Sequence, residues 1–190
     1  MPELAPPGAG LPWLELQIGR LIFYSSYRRT TPEKTDILLN DELATLVSLA
    51  KSIPPADAAR PVLIPRLRGM EDSSRNWSVF MTLEHIAIVN EVIGGVISSL
   101  THGAMPARKA STADVKPGPG ADASALDRCI ASTALVRTAG RAATNHNHQL
   151  RFAHPWFGPL DAAQWHFMAA FHQRLHRRQI ETILSGLARK

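Results

Sequence analysis

Apolar side chains recur at helical spacing in five stretches of the chain. Four stretches are long and one is short, and they are Trp13–Arg29, Asn40–Ser52 (the short one), Asn76–Leu100, Asp122–Arg141 and Asp161–Leu187. Apolar residues at positions i, i+3, i+4 and i+7 are typical of amphipathic helices. No segment shows the apolar–polar alternation of a half-buried strand. The pattern therefore predicts an all-α protein built as a helical bundle.

Prolines and glycines mark where these helices end. Residues 1–12 hold four prolines and two glycines and are predicted to be an irregular tail, so the single bundle domain spans residues 13–190. Residues 54–75 are predicted to be an ordered loop. Residues 105–121 are rich in Pro, Gly, Ala, Lys and Ser, which indicates a mobile linker. Asp161 follows a structured turn and is the expected N-cap of the last helix.

Two histidines one helical turn apart, His172 and His176, lie in the middle of the apolar arc of the last helix. An unpaired polar group in a buried stripe costs about 1–3 kcal/mol, so both rings need partners. Side chains four residues apart are neighbours on a helix, and two imidazoles at this spacing can bind one cation. Two core histidines, each hydrogen-bonded to another group, would have the same spacing, and the spacing alone does not decide between these alternatives.

A third histidine lies on the helix predicted over Asn76–Leu100. Glu84, Glu91 and Ser98 form a polar seam at seven-residue spacing, which marks the outward side. His85 lies about 100° from that seam, towards the buried side. If the two helices pack together, His85 completes a three-histidine site with open coordination positions, as in catalytic metal centres. Imidazole ligands suit zinc, nickel and iron alike.

Composition and charge exclude several classes of protein. The net charge of +5 and the pI of about 9.9 come from scattered arginines without interleaved aromatic residues, so nucleic-acid binding is not expected. No uninterrupted stretch of about 20 apolar residues exists, and the N-terminus lacks the pattern of a signal peptide. The single cysteine, Cys129, excludes an internal disulfide, fits a cytoplasmic location, and is best explained as a small core residue.

Three motifs, in this order, resemble those of the DinB-like superfamily. They are Trp77-Ser78 followed by Leu83-Glu84-His85; the turn His154-Pro155-x-Phe157-Gly158-x-Leu160 with Trp165 after it; and His172-x-x-x-His176 with Gln179. The turn is similar to that of a branch whose function is unassigned. The resemblance covers most of the chain, from about Trp13 to Leu187.

The resemblance implies an up-down-down-up four-helix bundle, here with an extra short helix and long loops. It also implies a divalent metal bound by three histidines, which map onto His85, His172 and His176. Activities in the superfamily include thiol-dependent S-transfer and maleylpyruvate isomerisation, with glutathione, mycothiol or bacillithiol as the thiol. DinB-like bundles often pair. Together with the mostly apolar circumference of the helix from Asn76, this suggests a homodimer.

Three further side chains are candidates for the surroundings of the site. Gln179 shares the inner arc with the two histidines and could orient a ligand ring, or could instead bond to a neighbouring helix. Trp156 and Trp165 are expected to form a wall of the site near the end of the bundle, although core packing explains them equally well. No residue is identified as catalytic.

Two functional hypotheses follow. In the first, the protein is a metal-dependent thiol S-transferase or hydrolase that acts on a small electrophile, with a low-molecular-weight thiol as a cosubstrate. In the second, the bundle is a non-enzymatic structural or binding protein in which metal only stabilises helix packing. An open coordination position that faces a pocket favours the first hypothesis, and a filled core favours the second.

Overall fold

The computed structural model describes residues 3–107, 111–143 and 149–188, and most of these residues are helical. The helices are α1 (Trp13–Tyr27), α2 (Pro32–Lys51), α3 (Pro55–Ala58), α4 (Val79–Thr101), α5 (Ser124–Ala143) and α6 (Ala162–Leu187). Strands β1 (Val62–Leu63) and β2 (Asn76–Trp77) pair antiparallel, as do β3 (Phe152–His154) and β4 (Gly158–Leu160). These strands are too short to show alternation, so the sequence pattern does not predict them.

The bundle consists of α2, α4, α5 and α6, in which α4 packs on α5 and α6, and α2 packs on α6 and α5. Helices α4 and α5 are parallel. Glu84 bonds to Gly118 just before α5, Asn90 bonds to Thr133 in the middle of α5, and Gly94 lies against Leu135. Two neighbouring helices that run in the same direction need a long crossover, which the segment between Thr101 and Ser124 supplies.

The other helix directions complete the topology. Helices α2 and α6 are parallel, because Thr35 lines a small cavity with His166, while Glu42 forms an ion pair with Arg177 further along both helices. Helices α4 and α6 are antiparallel, since the start of α4 lies near the C-terminal half of α6. The predicted up-down-down-up four-helix bundle is therefore confirmed.

Helix α2 is longer than predicted and is a full member of the bundle. It begins at Pro32, eight residues before the predicted start at Asn40. Thr31 is the N-cap, and its hydroxyl accepts a hydrogen bond from the backbone N–H of Lys34 at 3.3 Å. Proline suits the first position of a helix because its missing N–H needs no partner there. The helices outside the four-helix bundle are therefore α1 and the short α3, and the segment at 40–52 is not one of them.

Helix α1 lies outside the bundle and leaves most of its apolar side chains exposed. Phe23 is its buried residue, and it packs against the rings of Phe157, Phe167 and Phe171 with centroids 4.8–5.6 Å apart. The hydroxyl of Tyr24 also donates to the carbonyl of Phe157 at 2.7 Å. The C-terminal half of α1 is thus fixed to the bundle end.

Helix α4 is the central helix of the core. Fifteen of its 23 residues are buried. By length and composition alone, α4 could span a membrane. However, 67% of its apolar 18-residue stretch is buried inside the protein, as in a core helix. Its apolar circumference is therefore explained within one chain and no longer argues for a homodimer. The homodimer and the cytoplasmic location stay predictions.

Gly140 allows α5 to approach α6 closely, and we expect its substitution to be costly. A Cβ atom at this position would lie 2.5 Å from three ring atoms of the buried His166. Overpacking of this kind costs about 1–3 kcal/mol, so Gly140→Ala should lower the free energy of unfolding by that amount in urea titrations.

Gly95 provides the control for this substitution. A Cβ atom there meets no neighbour within 4 Å, so Gly95→Ala should stabilise the protein by up to about 1 kcal/mol through helix propensity. Equal effects of the two substitutions would contradict the packing of His166 on Gly140.

Candidate metal centre

The structure brings His85, His172 and His176 together between α4 and α6. One ring nitrogen from each residue lies within 4.8 Å of the corresponding atoms of the other two. The Nε2 atoms of His85 and His172 are 3.1 Å apart, and the ring centroids of the three residues are separated by 4.3–5.0 Å. His85 and His176 are buried, whereas His172 is partly exposed.

The start of α4 sets the position of His85 along the helix axis. Ser78 is the N-cap, and its hydroxyl accepts a hydrogen bond from the N–H of Met81 at 3.1 Å. His85 follows two turns later and donates from Nδ1 to the carbonyl oxygen of Val115 at 2.6 Å. With the proton on Nδ1, the lone pair is on Nε2 and faces the other two histidines.

Gln179 orients His176 in the same way. The Gln179 amide nitrogen donates to the carbonyl of Ser74 at 2.7 Å, so the amide oxygen is directed at His176. That oxygen accepts a hydrogen bond from Nδ1 of His176 at 2.7 Å. The lone pair of His176 is therefore on Nε2. Gln179 thus contacts a histidine of the cluster and holds its ring, while it also bonds to the segment before α4.

His172 completes the cluster and has an unusual hydrogen-bonding state. Its Nδ1 is buried and has no hydrogen-bond partner among the described residues. Its Nε2 faces Nε2 of His85, which already carries a lone pair. Three convergent imidazoles without a carboxylate are a donor set suited to one divalent cation. The residues present therefore fit a metal ion.

Burial keeps the three rings neutral. Desolvation is the main cause that lowers the pKa of His85 and of His172, and neighbouring histidines lower both further. Burial also lowers the pKa of His176 to about 4, although the bond to Gln179 opposes this shift. Imidazole must be neutral to bind a metal, so the site is in its binding-competent form at neutral pH.

The segment predicted to be a mobile linker, residues 105–121, contacts the histidine cluster at Val115. Besides the Val115 carbonyl on His85, Lys116 forms an ion pair with the buried carboxylate of Glu71 at 2.9 Å. Burial raises the pKa of Glu71, but the hydrogen bonds from Lys116 and Gly8 outweigh this and lower it overall. Loop composition does not reveal such distant partners, and the mobility of the segment stays a prediction.

A cavity of about 1200 Å³ adjoins the cluster. His85, His172 and His176 all line it, as do Trp156 and Trp165. Trp165 also belongs to the core and donates from its indole N–H to the carbonyl of Phe152 at 3.3 Å. The two tryptophans therefore contribute to both the cavity wall and the packing of the bundle end.

His154 lines the same cavity and was not identified as a site residue from the sequence. Its Nδ1 accepts hydrogen bonds from the backbone N–H groups of Trp156 and Phe157 at 3.1 and 3.4 Å. The proton is therefore on Nε2. Burial lowers its pKa to about 4, so the ring is a neutral hydrogen-bond donor. The turn motif that begins at His154 was the sequence signal that could have identified this residue, but the motif does not reveal which ring nitrogen carries the proton.

Among the described residues, His102, His166 and Cys129 are not part of the cluster. His102 is exposed and bonds to the carbonyl of Ser98. His146 and His148, which resemble a metal tract, lie outside the described residues. Cys129 is fully buried, as predicted, and burial raises the pKa of its thiol to about 12.

A family model of the DinB superfamily matches residues 27–180. The chain belongs to the DinB superfamily. The matched residues hold all three histidines of the cluster, and this DinB chain adds α1 before them. A solved structure described as "Crystal structure of TT2238, a four-helix bundle protein" is similar, with a TM-score of 0.53 and 22% identity over 80% of this chain and 98% of that chain. At this identity the likeness shows the fold alone. The chain has no significant match among curated proteins.

Proposed function

We propose that this DinB protein is a metal-dependent enzyme, with His85, His172 and His176 as the ligands of one divalent ion. Zinc, nickel and iron all suit these ligands. The proposal depends on one observation: the three rings converge at the wall of a large cavity and not inside a filled core. A bound metal would lower the pKa of a thiol or water molecule in an open coordination position. The reaction class is attack of that nucleophile on a small electrophile.

The residues of the chain would have separate roles in such a reaction. Val115 and Gln179 fix the orientation of two ligand rings, which is the usual role of groups behind metal ligands. His154 would donate a hydrogen bond from Nε2 to a ligand in the cavity. The buried, protonated Cys129 is unsuited to act as the nucleophile, so a thiol reaction would need an external low-molecular-weight thiol.

The non-enzymatic alternative uses the same three histidines. A metal that only stabilises packing is usually enclosed by four protein ligands. Among the described residues the cluster contains three metal-ligating side chains and no fourth. The adjoining cavity also leaves room for a small molecule. Both features favour the enzyme.

Metal content is the first test of the proposal. Untagged wild-type protein, loaded with each metal in turn and dialysed, should hold about one ion per chain by elemental analysis. His176→Ala should hold less than a tenth of that amount. His166→Ala is the matched control, because it also removes a buried histidine but one outside the cluster. If the His176 variant retains the metal, the site is elsewhere.

Turnover is the second test. Metal-loaded wild type and the His176→Ala variant should be compared with a generic electrophile in water and with glutathione, mycothiol or bacillithiol. We expect a rate with at least one nucleophile that the variant lacks. No rate above that of the variant, in protein shown to hold metal, would leave the non-enzymatic role as the better explanation.

A further inference from the structure

The cavity beside the metal centre extends around α6 to a second wall that contains arginines. Arg174 and Arg178 both line it. Each lies two residues after a histidine of the cluster, which places it about 200° around the helix from that histidine. The cavity therefore reaches the flank of α6 that faces α2, where Glu42 lies. The part of the cavity lined by Arg174 and Arg178 is therefore distinct from the part that adjoins the metal centre.

The arginines of this wall are not paired with carboxylates. Within the described part of the chain, Arg174, Arg178 and Arg29 make no ion pair or hydrogen bond to an acidic side chain. Arg177, between the first two, is different, because it binds both Glu42 and Glu181. The Glu42 carboxylate is thus already neutralised by Arg177. The guanidinium groups of Arg174, Arg178 and Arg29 therefore give this wall a net positive charge.

Exposed apolar side chains line the same cavity. Leu14, Ile18 and Ile22 of α1 line the cavity and are 63%, 49% and 49% exposed. Leu38 of α2 also lines it and is 37% exposed. Contiguous exposed apolar side chains next to polar groups often mark a binding site. Here they line the same cavity as the unpaired arginines.

We propose that this region binds an amphipathic anion, with its acid group on Arg174 and Arg178 and its apolar body against Ile18 and Ile22. Guanidinium groups bind carboxylates and related oxyanions in a bidentate manner. The cavity volume of about 1200 Å³ is somewhat above the usual range of small-molecule sites, roughly 300–1,000 Å³, so a small amphipathic molecule fits within it. This inference rests on the proposed function, since it names the class of molecule that would reach the metal centre.

Decanoate is a suitable probe, with decanol and decyltrimethylammonium as neutral and cationic counterparts of the same chain length. Binding should be measured by calorimetry at pH 7.5 below the micellar range, with chelator-treated protein. We expect decanoate to bind at least tenfold more tightly than either counterpart. Arg174→Gln with Arg178→Gln should remove this preference and leave the binding of decanol unchanged. Arg28→Gln is the control, because Arg28 is exposed but does not line the cavity.

A second pair of variants tests the apolar part independently of charge. Gly19 lines the cavity, and a Cβ atom at this position meets no neighbour within 4 Å. Gly19→Trp should therefore place an indole ring in the cavity and reduce the binding of decanoate and decanol at least tenfold. Gly95→Trp is the matched control, since Gly95 is also helical and open but lies away from the cavity. Both variants should keep the metal content of the wild type.

The outcomes separate this inference from the proposed function. Equal affinity for decanoate and decanol, or unchanged binding in the arginine variant, would overturn the inference. Decanoate binding that requires metal and is lost in His172→Ala would show that the acid group binds the metal, which overturns the inference and supports the metal centre. Arginine-dependent binding in protein that never holds metal would support the anion site and reject the proposed enzyme.

Discussion

Removal of the proposed metal ion is expected to lower the melting temperature and the free energy of unfolding of the wild-type protein. A ligand at 100 to 1,000 times its dissociation constant stabilises a fold by about 2.7 to 4.1 kcal/mol. We expect a loss of this size on chelation, because the three ligands come from α4 and α6 and one ion would connect the two helices. Thermal scans of loaded protein with and without EDTA measure the effect.

His172→Ala should abolish the response to chelator. His102→Ala is the control, because His102 is exposed and lies outside the cluster, and this variant should respond as the wild type does. Identical melting of the wild type with and without chelator, after confirmed loading, would contradict a metal at this site.

The histidine cluster was largely predictable because its signal is local. His172 and His176 lie four residues apart on a helix with a clear apolar arc, and His85 lies near the buried side of a helix with a clear polar seam. Helix pattern fixes which way each ring points relative to its own axis. The periodicity of each helix does not show that α4 and α6 pack against each other. The family resemblance implied that packing.

The parts that the sequence did not predict depend on partners far away in the chain. Val115 holds His85 with a backbone carbonyl, which every residue type possesses, so no side-chain pattern marks it. The ion pair of Lys116 with Glu71 joins two loops 45 residues apart. The unusual position of α1 is also non-local. Its apolar spacing correctly predicts a helix, but its exposed residues line a cavity and not the bundle core.

Helical phase alone describes the arginines on α6 incompletely. Phase places Arg174, Arg177 and Arg178 on the side opposite the histidines, which suggests a solvated surface. The structure separates them, because Arg177 is neutralised by α2 while Arg174 and Arg178 line the cavity. Pairing with a second helix decides which of the three can bind a ligand, and the pattern of one helix does not contain that information.

Acidification from pH 6.5 towards pH 4 should strongly destabilise the metal-free protein. Burial lowers the pKa of His154, His166 and His176 to about 4, whereas histidine in the unfolded chain titrates near 6.5. Between these values the unfolded state binds more protons, so the free energy of unfolding falls as the pH falls. Each such histidine contributes about 1.4 kcal/mol per pH unit, and three together can exhaust a typical stability of about 5–15 kcal/mol.

His166→Gln tests this linkage at a residue outside the metal cluster. Urea titrations at half-unit steps from pH 7 to pH 4.5 should show that the variant loses stability less steeply than the wild type, by about 1.4 kcal/mol per pH unit. His102→Gln replaces an exposed histidine and should leave the slope unchanged. A wild-type slope in the His166 variant would mean that this ring takes up its proton in the folded protein as readily as in the unfolded chain. In that case its burial against Gly140 would not be the source of the pH dependence.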